Sequence, residues 1–214
     1  MLNAVEVEIG EDWRYEFRSY TKVHHPTPID YECGPYCLAR WHGRVIEQDI
    51  WKPSKQFSRT VNVQNARLRP PIWFICEDDT IGAHLGVPAA KVLNGNPKIT
   101  SYQLRAADEP APIGSATSAV LRMKLRGLPR EYKRQIRLRD GNGKKITRQK
   151  LLDFVARAVR HWHLFLEAKD GLNNPGGLQL DHVIVIGLVN VSLGSWQPLL
   201  LYADSPVNTI EFRP

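Results

Sequence analysis

Apolar side chains follow a helical period in one segment past the middle of the chain. They recur three or four positions apart, with charged residues between them, at Leu151, Leu152, Val155, Ala158, Val159 and Trp162. Thr147 is a residue type that caps helix N-termini. The pattern therefore predicts an amphipathic helix after Thr147, with residues 164–168 either ending this helix or beginning a strand.

A different pattern marks the end of the chain. Residues 182–189 are rich in β-branched side chains, and a second apolar run covers residues 199–204. Gly194 lies in a turn sequence between them. We expect two strands here, paired in antiparallel fashion.

The length of 214 residues predicts a single domain. Residues 1–22 alternate aromatic and charged residues, which predicts an N-terminal arm or strand, and residues 23–214 form the domain. Residues 80–87 predict a short helix closed by Gly86. A basic insert lies at about residues 115–150, with a turn at Asp140.

This insert holds twelve Lys/Arg residues and two acids. Its local net charge of 12 − 2 = +10 exceeds the net charge of the whole chain, +7. Its candidate polyanion-binding residues are Arg134, Arg137, Arg139, Lys144 and Lys145. The segment from Arg122 to Lys150 contains one aromatic residue, Tyr132, for stacking on bases. A nucleic acid, an acidic partner and an anionic membrane are the candidate ligands, and a solvated insert without a ligand is the alternative.

No apolar run approaches the length of a membrane span, and the first residues lack the features of a secretory signal. We therefore expect a protein that is cytoplasmic as synthesised. If it is an effector or a viral protein, we expect it in the cytoplasm of the host. The three cysteines are an odd number, and Cys33 and Cys37 stand one helical turn apart. Free thiols are expected.

Cys33 lies at a predicted helix N-terminus, because Pro35 suits a first helical turn and Gly43 suits the helix end. The unpaired backbone N–H groups there favour a thiolate, the form a nucleophile needs. A structural thiol is the alternative for Cys33 and the expectation for Cys37. His182 begins one predicted strand and Asp204 ends the next, so an antiparallel pair brings both to one end of the sheet.

Three segments of the chain resemble the papain-like cysteine peptidase superfamily, and within it the bacteriocin-processing, double-glycine type and related microbial and viral peptidases. They are Asp30-Tyr-Glu-Cys33-Gly34-Pro35-Tyr36-Cys37-Leu38, Asp181-His182-Val183-Ile184-Val185-Ile186-Gly187 and Leu201-Tyr202-Ala203-Asp204-Ser205-Pro206. The resemblance implies a papain-like α+β fold, with a central helix bearing the nucleophile packed on a small antiparallel sheet. It also implies Cys33 as nucleophile, His182 as base and Asp204 as orienting acid. A separation of 149 residues between Cys33 and His182 agrees with the roughly 130 to 150 residues between nucleophile and histidine in papain-like enzymes.

The sequence departs from that family upstream of Cys33. The family usually has a glutamine about six residues before the nucleophile, as a hydrogen-bond donor to the oxyanion, and Thr27 occupies this position. We expect the Cys33 amide to supply one donor, with His25, Thr27 or a backbone amide as candidates for the second.

The expected function is a thiol hydrolase of protein or peptide substrates that works through an acyl-enzyme, without cofactor or metal. The same triad also serves a deamidase, an acyl transferase or a deubiquitinating enzyme. A non-enzymatic protein that binds RNA or an acidic partner is the remaining alternative. A zinc site at Cys33, Cys37 and His42 is disfavoured, because these residues share one short helix. The oligomeric state is open.

Overall fold

A computed structural model describes residues 43–49, 71–78, 82–94, 103–170, 178–204 and 206. The expected N-terminal arm at 1–22 lies outside these ranges, as do Cys33, Cys37 and the oxyanion candidates His25 and Thr27.

Seven strands of the described ranges form one sheet. They are β1 Gly43–Val45, β2 Ile72–Trp73, β5 Val87–Pro88, β7 Ser118–Met123, β8 Tyr132–Arg137, β9 Val183–Ser192 and β10 Ser195–Ala203. In this sheet β2, β9, β10, β7 and β8 are neighbours in that order, while β1 pairs with β10 and β5 pairs with β9. A three-stranded sheet contains β3 Ile75–Asp78, β4 Gly82–Leu85 and β6 Gln103–Leu104.

The hairpin of β9 and β10 confirms the strand pair expected at the end of the chain. The two strands are antiparallel, and Ser192 pairs with Ser195 across a tight turn. Gly194 in this turn has a φ of +78°, a conformation that glycine adopts without steric cost. All ten residues of β9 are buried, which agrees with its nearly continuous apolar sequence.

The predicted amphipathic helix is α2, Arg148–Asp170. The Thr147 Oγ1 accepts a hydrogen bond from the Lys150 amide at 3.2 Å, so the predicted cap is confirmed. The helix continues through residues 164–168, which settles the choice between helix and strand there. Its buried residues are those of the predicted apolar face, together with Ala156 and Leu166. The shorter helix α1, Ala89–Asn94, packs against it.

The basic segment is incorporated into the main sheet as β7 and β8. The two strands pair antiparallel, and residues of β7 alternate between buried and half-buried positions. Beyond β8, the Asp140 carboxylate accepts hydrogen bonds from the amides of Asn142 and Lys144, both at 2.9 Å, which closes the predicted turn.

Two expectations about secondary structure are wrong. The helix expected at residues 80–87 is replaced by β4 and β5, because β4 pairs with β3 and the positive φ of Gly86 turns the chain between β4 and β5. The sheet is also not wholly antiparallel, since β7 runs parallel to β10 at the pairs Val120–Ser195 and Leu121–Trp196.

The described residues therefore form a mixed α+β structure, with α2 packed on β7 and β8. None of the helices in these ranges is long and apolar enough to cross a membrane.

Candidate functional site

The open end of the β9–β10 hairpin holds two residues of the predicted triad. His182 is the last residue of a short 3-10 turn, Leu180–His182, and directly precedes β9. Asp204 directly follows β10. The pairing of Tyr202 with Val183 brings these two ends together. The structure confirms that His182 and Asp204 lie at the same end of the sheet.

His182 is fixed by two contacts with β10. Its Nδ1 lies 2.7 Å from the carbonyl oxygen of Ala203, and its ring stacks on Tyr202 with centroids 5.0 Å apart and planes 9° apart. The side chain is only 8% exposed. These contacts hold the imidazole in one orientation at the open end of the hairpin.

The hydrogen bond to Ala203 also determines the tautomer of the neutral His182 ring. A carbonyl oxygen can only accept, so Nδ1 carries the proton. The lone pair of the neutral ring is then on Nε2, and no partner for Nε2 is found among the residues that the structure describes. The His182 side chain is therefore held in the form that can take a proton at Nε2.

Asp204 does not make the contact with His182 that its predicted orienting role implies. Within the described ranges, the partner of Nδ1 is the Ala203 carbonyl, one residue earlier in the chain, and the Asp204 side chain is exposed. The extended backbone of β10 explains the difference, because the last residue of the strand already places its carbonyl opposite the ring. The contact to His182 Nδ1 thus comes from a backbone carbonyl one residue before Asp204 and not from the predicted carboxylate.

A third strand reaches the same end of the hairpin. Gly43 pairs with Ala203 at the start of β1, and Arg44 pairs with Tyr202. The chain that follows the predicted Cys33 helix thus enters the sheet beside the residue that holds His182.

His163 supports this end of the sheet from α2. Its Nε2 lies 2.7 Å from the carbonyl oxygen of Leu178, four residues before His182. The α1 helix also packs against the 3-10 turn. His161 is exposed, so it and His163 point in different directions, as their spacing on a helix predicts. The sequence identified no role for His163, because a contact with a backbone carbonyl leaves no sequence motif.

The predicted polyanion-binding residues are separated by the structure into different environments. Arg137, Lys144 and Lys145 are exposed. Arg139 donates hydrogen bonds to the carbonyls of Gly143 and Ser115, at 2.8 and 3.1 Å, so its guanidinium stabilises the turn beyond β8. Arg134 is half-buried.

Comparison of the chain with protein-family models, with curated proteins and with solved structures gives no match. Within the described part of the chain, no cluster of three or more His, Cys, Asp or Glu residues could hold a metal ion.

Proposed function

We propose that the protein is a thiol hydrolase of the cysteine peptidase type, with Cys33 as the nucleophile and His182 as its base. The observation that carries this proposal is the hydrogen bond from His182 Nδ1–H to the Ala203 carbonyl, because it leaves the lone pair on Nε2. A base in such a triad needs this tautomer, held in one orientation by a third group.

The proposed reaction has two steps. Nε2 of His182 takes the thiol proton, the sulfur attacks the substrate carbonyl, and the protonated ring gives its proton to the leaving amine. Water then opens the acyl-enzyme, with His182 again acting as base. The Ala203 carbonyl accepts from Nδ1–H throughout, and the Asp204 carboxylate beyond it stabilises the positive ring through its charge.

The position of Gly43 supports the assignment of Cys33. Cys33 precedes Gly43 by ten residues, a helical length of about 15 Å. Gly43 itself pairs with Ala203. The connection is thus short enough to keep a helix that begins at Cys33 beside the end of the hairpin.

The papain-like arrangement, with the Cys33 helix packed on the sheet, belongs to the same proposal. Its support is the burial of β9 on both faces. Val183 and Val185 belong to the core cluster that includes the side chains of α2, whereas Ile184 and Ile186 are buried outside this cluster. A second apolar face of this kind is the surface on which a further helix packs. The proposed compartment is the cytoplasm, where a nucleophilic thiol stays reduced.

The experiment is turnover by the purified protein on a peptide mixture, on ubiquitin chains and on glutamine-containing peptides, with mass spectrometry of the products. We expect peptide-bond cleavage, its loss in Cys33→Ala, and its retention in the matched variant Cys37→Ala. Release of ammonia without cleavage would assign a deamidase instead. Full turnover by Cys33→Ala would refute the proposed nucleophile.

A further inference from the structure

The outer face of α2 carries two arginines and a histidine. Arg157, Arg160 and His161 are exposed, and Arg160 and His161 follow Arg157 by three and four residues, so all three lie towards one side of the helix. The opposite side of α2 is in the core, where Ala158, Val159 and Trp162 are buried. Packing of the apolar face thus fixes the direction of the basic face.

Arg134 of β8 lies next to this basic face. Its cross-strand neighbour is Leu121, a core residue, so Arg134 is on the face of the sheet that α2 covers. Partial desolvation, Arg134 and Arg160, in this order, lower the pKa of His161 from its ordinary value. This direction agrees with the placement of the two arginines, Arg134 on the strand beneath α2 and Arg160 next to His161 on the helix. We call Arg134, Arg157, Arg160 and His161 the basic surface.

The charges of the basic surface have no acidic partners within the described residues, in contrast to other cations of the protein. Arg122 and Lys133 both pair with Glu131, Lys124 pairs with Asp49, and Arg126 pairs with Glu47, at N–O distances of 2.6 to 2.9 Å. Among the residues that the structure describes, no such ion pair is found for Arg134, Arg157 or Arg160. Three guanidinium groups thus lie on one surface outside the ion pairs of the described residues.

The aromatic side chain nearest in sequence to Arg134 is not available to stack on bases. The Tyr132 ring packs on Phe165 of α2, with centroids 5.7 Å apart. Single-stranded nucleic acids are usually bound through exposed aromatic residues, whereas duplexes can be bound through phosphates alone. Guanidinium groups suit such contacts, because their planar fork binds phosphate oxygens in a bidentate manner.

We propose that the basic surface binds the phosphate backbone of a nucleic-acid duplex without reading its sequence. The proposal does not depend on the hydrolase function. It rests on the geometry of β8 and α2, on the lack of ion pairs between these arginines and the described acidic residues, and on the packing of Tyr132.

The test uses the full chain, a fluorescent duplex of about 20 base pairs and anisotropy measurements from 50 to 200 mM salt. We expect the double variant R134Q/R160Q to bind about tenfold more weakly or worse at the lowest salt. Loss of two phosphate contacts should also reduce the slope of log K against log salt by about 2. The matched control is K124Q/R126Q, which removes the same charge from residues that are already paired, and it should retain most of the affinity.

Equal weakening in both double variants would contradict the proposal, as would unchanged binding by R134Q/R160Q or no binding by the wild-type protein. Because Arg134 is half-buried, R157Q/R160Q, with two exposed positions, is a second variant that must also lose affinity. Binding of polyglutamate as tightly as the duplex would reassign the surface to acidic proteins. Equal binding of phosphatidylserine vesicles would reassign it to a membrane.

Discussion

The two hairpins of the main sheet are neighbours but differ in nearly every physical respect. In β9 and β10 almost every residue is buried, and at the open end a backbone carbonyl holds the ring of His182 by its Nδ1. In β7 and β8 the residues of one face are buried and those of the other meet solvent, where they are mostly charged or polar.

The β9–β10 hairpin therefore offers a rigid position for a side chain, whereas the β7–β8 hairpin offers a charged surface. A buried hairpin can hold an imidazole in one tautomer and one orientation, which general base catalysis requires. An amphipathic hairpin leaves arginine and lysine side chains in water, where they can meet a charged ligand at little desolvation cost. The two properties occupy opposite ends of β10: β7 pairs with Trp196, about 20 Å along the strand from Ala203.

The largest expected effect lies at the buried hairpin. We expect His182→Ala to lower turnover by about 10³-fold or more, because the proposed base is lost. Asp204→Asn should retain at least about a tenth of the activity, because the Ala203 carbonyl still holds Nδ1. Steady-state kinetics on the best peptide substrate measures both. If Asp204→Asn is as inactive as His182→Ala, the carboxylate rather than the carbonyl orients the ring.

Packing should differ between the hairpins as well. Val185 of β9 is fully buried, whereas Val120 of β7 is half-buried. We expect Val185→Ala to lower the free energy of unfolding by about 1–3 kcal/mol and Val120→Ala by less than half of that. Urea unfolding monitored by circular dichroism gives both values. Equal losses would mean that β7 is packed as tightly as β9.

Charge at the second hairpin should act on ligands and not on the chemistry. The double variant R137Q/K145Q should hydrolyse a small uncharged substrate within about twofold of the wild-type rate, since β7 joins the sheet at the far end of β10. Rates measured at 50 and 200 mM salt provide the control for long-range electrostatics. A tenfold loss of turnover would bring this hairpin into the active-site cleft.

The smallest expected effect concerns the titration of His161. Partial desolvation, and after it the charges of Arg134 and Arg160, lower the pKa of this ring, so Arg134→Gln should raise that pKa. The pKa of His161 is lower in the folded protein than in the unfolded chain. His161 therefore opposes folding only when the pH falls below the pKa of the unfolded chain, because the folded protein must then protonate the ring beside Arg134 and Arg160. NMR titration of the imidazole protons measures the change. An unchanged pKa in Arg134→Gln would show that Arg134 does not act on His161.

The elements that could be predicted from the sequence are those whose own residues show a clear hydrophobic period or a turn sequence. The α2 helix and its Thr147 cap, the β9–β10 hairpin and the turn at Asp140 followed from spacing and turn chemistry. The β3–β4 pair did not, because the short segment of residues 80–87 fits a helix as well as a strand and the choice depends on pairing with β3. The parallel contact of β7 with β10 joins residues 75 positions apart in sequence and has no local signal.

The same limit applies to the candidate site. His182 could be selected as a residue type at a strand end, and its burial at the hairpin end agrees with that choice. The Ala203 carbonyl could not be selected, because every residue has one and only the pairing of the strands brings this one to the ring. Arg157 and Arg160 belong to the charged side of the predicted helix, and their proximity to Arg134 has no local signal because it depends on how α2 crosses β8.

The central claim is that His182 activates Cys33, and the rate of Cys33 alkylation measures this most directly. The protein is treated with iodoacetamide at pH 7, and the modified cysteine is quantified by mass spectrometry, with Cys37 as the internal reference. We predict that Cys33 reacts about 100-fold faster in the wild-type protein than in His182→Ala, because the imidazole stabilises the thiolate, while the Cys37 rate stays the same. Equal Cys33 rates in the two folded proteins would contradict the claim.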